Sequence, residues 1–304
     1  MGRETDWTLV GALEVFGAVR PRLFGIAYRM LGSVAEAEDV VQEAWLRWQQ
    51  TDRSQVRDPI GFLVTTTSRL ALNAATSAHA RRELYPGPWL PEPVDTAADP
   101  TLQAERTESL ELAVLLLLER LTPAERAVYV LREAFDYPFR HIGEVLDISE
   151  AYARQLGRRA RTHLVQQRRA PVARADHNRL LHAVLAAARS GELTRLEELL
   201  AETATSYADG GGIVRAARVP IVGRGAVARY VLGLMRKFGN GVSLEIVESN
   251  GRAAILAARP GTAVALVSIE ASPAGIERLL IILNPQKLAQ FQRQPPPDRP
   301  CATW

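Results

Sequence analysis

Thr122-Pro123-Ala124-Glu125, then Phe139-Arg-His-Ile-Gly-Glu-Val-Leu146, the turn Asp147-Ile148-Ser149, and Glu150-Ala-Tyr-Ala-Arg-Gln-Leu-Gly-Arg-Arg-Ala-Arg161 together decide how this 304-residue chain folds. Thr122 is a helix cap, Pro123 suits the first helical position and Glu125 places an acid in the first turn, so a helix is expected through Arg132. Phe139 to Leu146 reads as a short helix with Ile142, Val145 and Leu146 apolar. Ser149 then caps a helix from Glu150 to about Gln167. A short helix, a tight turn and a second helix with solvent-facing first turns is the geometry that seats a recognition helix in the major groove of duplex DNA. Tyr152, Arg154, Gln155, Arg158 and Arg159 fall where base edges and phosphates are reached, and Ile148 and Leu156 point inward.

Charge supports that placement. The chain carries 37 basic and 34 acidic residues, a net of +3, too little for a polycation. Resolved along the sequence, residues 1–85 balance at 10 basic and 10 acidic side chains, 86–108 carry −4, and Glu150 to Arg174 set seven arginines against Glu150 alone, a net of +6. The excess is one stripe on one helix. An arginine-rich helix can also be a plain solvated face; turn, cap and helix length favour DNA. Only Lys237 and Lys287 are lysines, and arginine is the better bidentate partner of phosphate and guanine, although a GC-rich coding bias gives the same count.

Working outward, Pro86, Pro88, Pro91, Pro93 and Pro100 withhold backbone donors and bias their predecessors to extended backbone, which marks 86–108 as an acidic, extended linker between two helical domains. On the N-terminal side, Ala37, Val41, Ala44, Trp45 and Trp48 share one face of a helix over Glu36–Gln50, with Ser33 and Glu36 as a capping box; both tryptophans are expected in the core. Asp58-Pro59 starts a helix over Ile60–His79. Beyond residue 200 the period changes: Val242–Val247, Ala253–Ala258, Ala263–Ile269 and Ile276–Leu283 are short runs separated by Gly, Pro and Asn, as in an antiparallel sheet. The expected division is 1–85 helical, 86–108 linker, 109–170 helix-turn-helix, 171–176 a second linker around Pro171, 177–293 α+β, and 294–304 a disordered, proline-rich tail.

Cys301 is the only cysteine, which rules out an internal disulfide or a cysteine-based zinc site and fits a reducing cytoplasm. Met1 to Val10 does not read as a signal peptide, and the longest apolar stretch, Ala113 to Leu118, is far short of the roughly 20 residues of a membrane span. No cofactor, metal or membrane partner is expected.

These segments resemble a family. Arg22-Leu-Phe-Gly-Ile-Ala-Tyr-Arg-Met-Leu-Gly-Ser33 and Ala37-Glu-Asp-Val-Val-Gln-Glu-Ala-Trp-Leu-Arg47, followed by Leu121-Thr-Pro-Ala-Glu-Arg126, Tyr129-Val-Leu-Arg-Glu-Ala-Phe-Asp136 and Ser149-Glu-Ala-Tyr-Ala-Arg-Gln-Leu156, resemble the two helical domains of the extracytoplasmic-function sigma factors of bacterial RNA polymerase. Gly87-Pro-Trp-Leu-Pro-Glu-Pro93, Asp209-Gly-Gly-Gly212 and Asn284-Pro-Gln-Lys-Leu288 resemble signatures of the subgroup that carries a fused SnoaL-like C-terminal domain. The resemblance implies two all-α domains followed by an α+β cone of the cyclase and ketosteroid-isomerase type.

It also implies partners. Asp39, Gln42, Glu43 and Leu46 match the helix that docks on core RNA polymerase. Arg69, Leu72, Asn73, Arg81 and Arg82 match the part that opens the minus-10 element and holds a flipped base of its single strand. Tyr152, Arg154, Gln155, Arg158 and Arg159 match the reader of duplex minus-35 DNA, with Tyr152 and Ala153 replacing the usual Asn and Cys. Asn73-Ala-Ala-Thr76 and Gln286 also depart from the family pattern. Trp89, Leu90, Pro91, Asp209, Gly210, Gly211, Gly212, Asn284, Pro285, Lys287 and Leu288 are the expected regulatory contacts between domains, replacing a separate anti-sigma protein; the Asp209 loop and the Asn284 segment are expected to touch the linker or the first domain.

The α+β domain leaves three readings. It regulates, with room for a small ligand in its cavity; or it is the ligand domain of a conventional helix-turn-helix repressor; or it is an enzyme, with His177, His182, Tyr207 and Asp209 as titratable candidates. Asp209 before three glycines could be a general base or could simply bond the turn backbone. No nucleophile motif accompanies it, and no catalytic residue is assigned.

Overall fold

A computed structural model describes residues 9–97, 111–165 and 172–292, which fall into two units. The second half of the linker, the boundary around Pro171, Gln167 and the proline-rich tail with Cys301 lie outside the described residues.

The first unit holds 9–84 and 111–165. Helices α1 (Leu9–Leu31), α2 (Val34–Gln50) and α3 (Pro59–Glu83) pack mutually. Ser33 Oγ accepts from Glu36 N, and the carboxylate of Asp58 accepts from Gly61 N, so both helices start at the side chains the sequence nominates. Of the two tryptophans, Trp48 is fully buried and donates its indole N–H to Ala12 O at 3.2 Å. Trp45 is half-buried against Phe16, with ring centroids 4.8 Å apart, so the shared face does not sink both equally. The helix sits on a narrow bundle whose solvent edge passes through Trp45.

Helix α4 (Leu112–Leu118) leads to α5 (Pro123–Tyr129), which opens on a complete capping box: Glu125 N donates to Thr122 Oγ1 and Thr122 N to Glu125 Oε2. The expected continuation through Arg132 is a π-turn, Val130–Ala134. Then come α6 (Phe139–Leu146) and α7 (Glu150–Val165). Asp147 closes α6 in the left-handed region, φ 58°, where a short polar side chain is tolerated. Gly143 is required by the crossing of the two helices: a Cβ there would lie 2.7 Å from Ile148 O. Leu156 is buried and Ile148 half-buried, as the inward face demands.

The second unit holds 85–97 and 172–292. Helices α8 (Arg174–Ser190), α9 (Leu193–Leu199) and α10 (Arg224–Phe238) cover one face of a six-stranded sheet in the order β2-β1-β6-β5-β4-β3. The strands are β1 (Leu200–Asp209), β2 (Ile221–Val222), β3 (Ser243–Ser249), β4 (Arg252–Arg259), β5 (Thr262–Ser272) and β6 (Gly275–Ile282). Leu181, Val184, Leu196, Val227, Ile255, Ile269 and Leu279 form the core between helices and sheet.

The sheet corrects one expectation: it is mixed, because β1 runs parallel to β6. Leu200-Ala-Glu-Thr-Ala carries helix formers and gives little strand signal. Its strand state is imposed by β6 on one side and β2 on the other. A parallel neighbour needs a long crossover, here everything from β2 to β5. Residues 85–97 are extended, as the prolines require, but they are built into this second unit, with Leu90, Pro91, Glu92, Pro93 and Val94 buried.

Candidate functional site

On α2, Asp39, Gln42 and Leu46 are exposed and Glu43 is half-buried, paired with Arg47 at 2.9 Å. They form one outward face opposite Val40, Val41, Ala44 and Trp48, which are buried. Leu46, 42% exposed, is the apolar element of that face.

On α7, Tyr152, Arg154, Gln155, Arg158 and Arg159 all face solvent, while Ala153, Leu156 and Ala160 are buried. The arginines are not equivalent. Arg154 pairs with Glu150 one turn back, Arg159 reaches the buried Glu125 at 2.9 Å, and Arg161 pairs with Glu133. Among the described residues Arg158 alone of these arginines makes no ion pair. Its charge needs no internal partner broken before it meets a phosphate. Arg158→Ala is therefore expected to lower the slope of log affinity for duplex DNA against log salt by about 0.9 unit, the contribution of one phosphate contact. Filter binding across a salt series measures it; an unchanged slope removes Arg158 from the contact set.

The α3 candidates lie in different surroundings. Asn73 is exposed, and Arg81 is exposed and paired with Glu36. Arg82 is mostly buried, donating to Leu31 O and Glu119, and Glu119 Oε1 also accepts from Arg126 at 2.6 Å. Burial lowers the pKa of Arg82, opposed by the charge of Glu119. Arg69 donates to Val145 O at 2.7 Å and Glu144 O at 3.1 Å, the last carbonyls of α6. A helix C-terminus leaves such carbonyls without intrahelical partners, and a cation satisfies both their lone pairs and the helix dipole. In this arrangement Arg69 and Arg82 are engaged within the first unit.

The three signatures from the linker and the α+β domain meet in the second unit. Asp209, at the end of β1, is fully buried, and its carboxylate accepts four donors. These are Tyr85 Oη at 2.7 Å, Leu90 N at 2.9 Å, Gly211 N at 3.0 Å and Lys287 Nζ at 2.7 Å. Lys287 also donates to Leu90 O and lies over the Trp89 ring, 4.2 Å from its centroid, within cation–π range. The carbonyl of Asp209 accepts from Leu283 N and Asn284 N. Asn284 Nδ2 donates to Tyr85 Oη at 3.3 Å, and its Oδ1 takes Gln286 N. Gln286, where the family usually has an acid, is exposed and outside this cluster through its side chain.

Of the glycines after Asp209, Gly210 turns the chain, its carbonyl accepting from Ile213 N and Val214 N. Gly211 has φ 64°, and a Cβ there would collide with the Asn284 side chain. Gly212 lies against Pro86. Pro91 and Leu288 are buried and Pro285 is exposed. The linker is fastened again downstream: Val94 N donates to Asn250 Oδ1 and Val94 O accepts from Asn250 N, while Thr96 Oγ1 donates to Glu248 at 2.9 Å. Sequence reasoning missed Tyr85 and Asn250. The signal for Asn250 was the Asn250-Gly251 pair, a hairpin-turn dipeptide; Tyr85 carried none.

Burial, then the hydrogen bond and charge of Asp209, push the Tyr85 phenol well above its ordinary value. The neutral phenol is the form favoured by folding, so its contribution is complete below about pH 10 and fades as pH rises through the elevated value. Urea denaturation from pH 8 to 11 is expected to show stability falling above pH 10, less steeply in Tyr85→Phe.

The other titratable candidates are dispersed. His177 is buried, with Nε2 3.0 Å from Ala253 O; His182 is exposed; Tyr207 is half-buried on β1. None of them, nor Asp209, lines the cavity of about 360 Å³ between α8, α10 and the sheet. Among the described residues no helix is long and apolar enough to cross a membrane.

A family model for sigma-70 region 2 matches residues 15–81, and one for sigma-70 region 4 matches 111–164. The three-helix domain and the helix-turn-helix that follows it are thus regions 2 and 4 of a sigma-70-type transcription initiation factor. The chain is 41% identical to the ECF RNA polymerase sigma factor SigJ of Mycobacterium tuberculosis over 75% of its own length and 74% of that protein's. It is 36% identical to the probable ECF RNA polymerase sigma factor SigI of the same organism over 60% of its length and 64% of that protein's. The crystal structure of SigJ matches 91% of this chain and 98% of its own, with a TM-score of 0.74 and 33% identity. The chain belongs to the extracytoplasmic-function RNA polymerase sigma factors, and its α+β domain is the fused C-terminal domain of the SigJ-like kind.

Proposed function

We propose that this sigma factor docks on core RNA polymerase in the cytoplasm through Asp39, Gln42, Glu43 and Leu46 of α2, reads duplex minus-35 DNA through α7, and captures the single-stranded minus-10 element along α3 through Arg69, Asn73, Arg81 and Arg82. The fused domain is a regulator that holds residues 85–97 of the linker between α3 and α4. The observation that carries this is the four-donor closure on Asp209, three of whose partners come from the linker and the Asn284 segment.

Two features support an inactive resting form. Residues 85–97 are the first part of the covalent path from α3 to α4, and a linker segment clasped in the fused domain is unavailable to a polymerase channel. Arg69, meanwhile, is occupied by α6 carbonyls, so strand capture by this side chain requires those two bonds to break first. The fused domain has no catalytic function in this reading: the carboxylate best placed in sequence to be a base is filled by donors and does not face the cavity.

The test is transcription in a reconstituted system with core polymerase and a responsive promoter. Trp89→Ala removes the ring over Lys287 while leaving the Asp209–Lys287 pair in place. It is expected to raise transcript yield severalfold with core binding unchanged. Equal yield from both proteins would sink the regulatory clasp, and no transcript from either would sink the promoter assignments.

A further inference from the structure

The fused domain contains a cavity of about 360 Å³ that neither docking nor promoter reading uses. Its floor is buried aliphatic surface: Ile255, Leu279 and Ile281. Its rim is exposed and includes Phe238, Arg215 and Arg259. Among the described residues those two arginines are the only charged side chains lining it, no carboxylate lines the wall, and neither arginine has an ion-pair or hydrogen-bonded side-chain partner. Two guanidinium groups at the mouth of an apolar shaft repel a cation and bond a neutral acceptor less strongly than a charged one. They suit an anionic head, which guanidinium groups bind through charge-assisted, bidentate hydrogen bonds.

We propose that this cavity binds an amphipathic carboxylate: an aliphatic or aromatic body in the shaft and the carboxylate at the rim that carries Arg215 and Arg259. The size bounds the class. At roughly 30 Å³ for each atom of about a water's bulk, 360 Å³ holds about a dozen non-hydrogen atoms, the bulk of decanoate. The volume also lies in the range of small-molecule sites, about 300 to 1,000 Å³. Occupancy would be felt at the linker clasp by contact. Val214, Leu283 and Pro285 line the cavity, Val214 N is bonded to Gly210 O, and Leu283 N is bonded to the Asp209 carbonyl. This goes beyond the regulatory reading, and its test reads binding alone, so either can fail without the other.

The experiment is isothermal titration of the full chain with sodium decanoate and, separately, decan-1-ol. Decanoate is expected to bind at least about tenfold more tightly than the alcohol, as one charge-assisted contact provides. Arg215→Ala/Arg259→Ala, changing two exposed rim residues, is expected to remove that preference while leaving the alcohol's affinity unchanged. Ala265→Phe, filling the shaft, is expected to abolish both. The proposal is overturned if decanoate does not bind, if the alcohol binds as tightly, if the double variant keeps the preference, or if Ala265→Phe binds decanoate normally. Circular dichroism checks that each variant is folded.

Discussion

Lys287→Met is expected to destabilise the second unit by about 3–5 kcal/mol, the cost of removing one partner of a buried ion pair and leaving the other charge uncompensated. Lys287 is 9% exposed and Asp209 fully buried, so water cannot take the place of the ammonium. Methionine keeps the bulk of the stem, which confines the loss to the charge and to the bonds to Asp209 and Leu90 O. The remaining donors, Tyr85, Leu90 N and Gly211 N, hold the carboxylate in place without neutralising it. Urea denaturation, with hydrogen exchange along β6, measures the loss. Adding Asp209→Asn removes the stranded charge and is expected to recover part of it. A single-variant loss below about 1 kcal/mol, the range of an exposed pair, would mean that the pair is solvated and the linker is not fastened there.

The second large effect belongs to the first unit. Trp48→Ala is expected to cost about 3–5 kcal/mol, the usual penalty for truncating a buried aromatic side chain. Its ring packs against Phe62 of α3, with centroids 5.5 Å apart, and its N–H ties α2 to Ala12 of α1. Truncation leaves a cavity between three helices and removes the indole bond to the Ala12 carbonyl. The exposed face of α2, the proposed docking surface, depends on that anchorage, so core polymerase binding is expected to fall together with thermal stability. Leu46→Ala separates the two effects: Leu46 touches solvent, so polymerase binding should weaken with the melting temperature little changed. If both variants lost binding with stability intact, Trp48 would be a contact and not an anchor.

The helix-turn-helix was legible because its signals are local. Thr122 and Glu125 form a capping box three residues apart, and the αL turn at Asp147 uses a residue type that tolerates it. Strand β1 was illegible because its state comes from partners remote in sequence: Thr205 pairs with Val222 on one side and Arg278 on the other. The parallel pairing escaped for the same reason. The solvent-facing side of α7, the proposed DNA face, could be drawn from helical period, but which arginine lacks an ion pair among the described residues could not. Glu125 and Glu133, which hold Arg159 and Arg161, come from α5 and the π-turn after it.

The amino-acid sequence by itself determined the order of helical, linker, helical and α+β segments, the basic stripe on one recognition helix, and the family. These depend on periodicity, caps and composition, which act over a few residues. Only the tertiary structure decided that residues 85–97 belong to the fused domain and that Asp209 is a buried anchor whose charge Lys287 answers. It also decided that Arg69 caps α6 and that, among the described residues, the charges lining the cavity are two arginines. Each is a meeting of groups 75 or more residues apart, or of strands brought side by side, and such meetings are set by the burial and pairing of the whole chain, which no local pattern encodes.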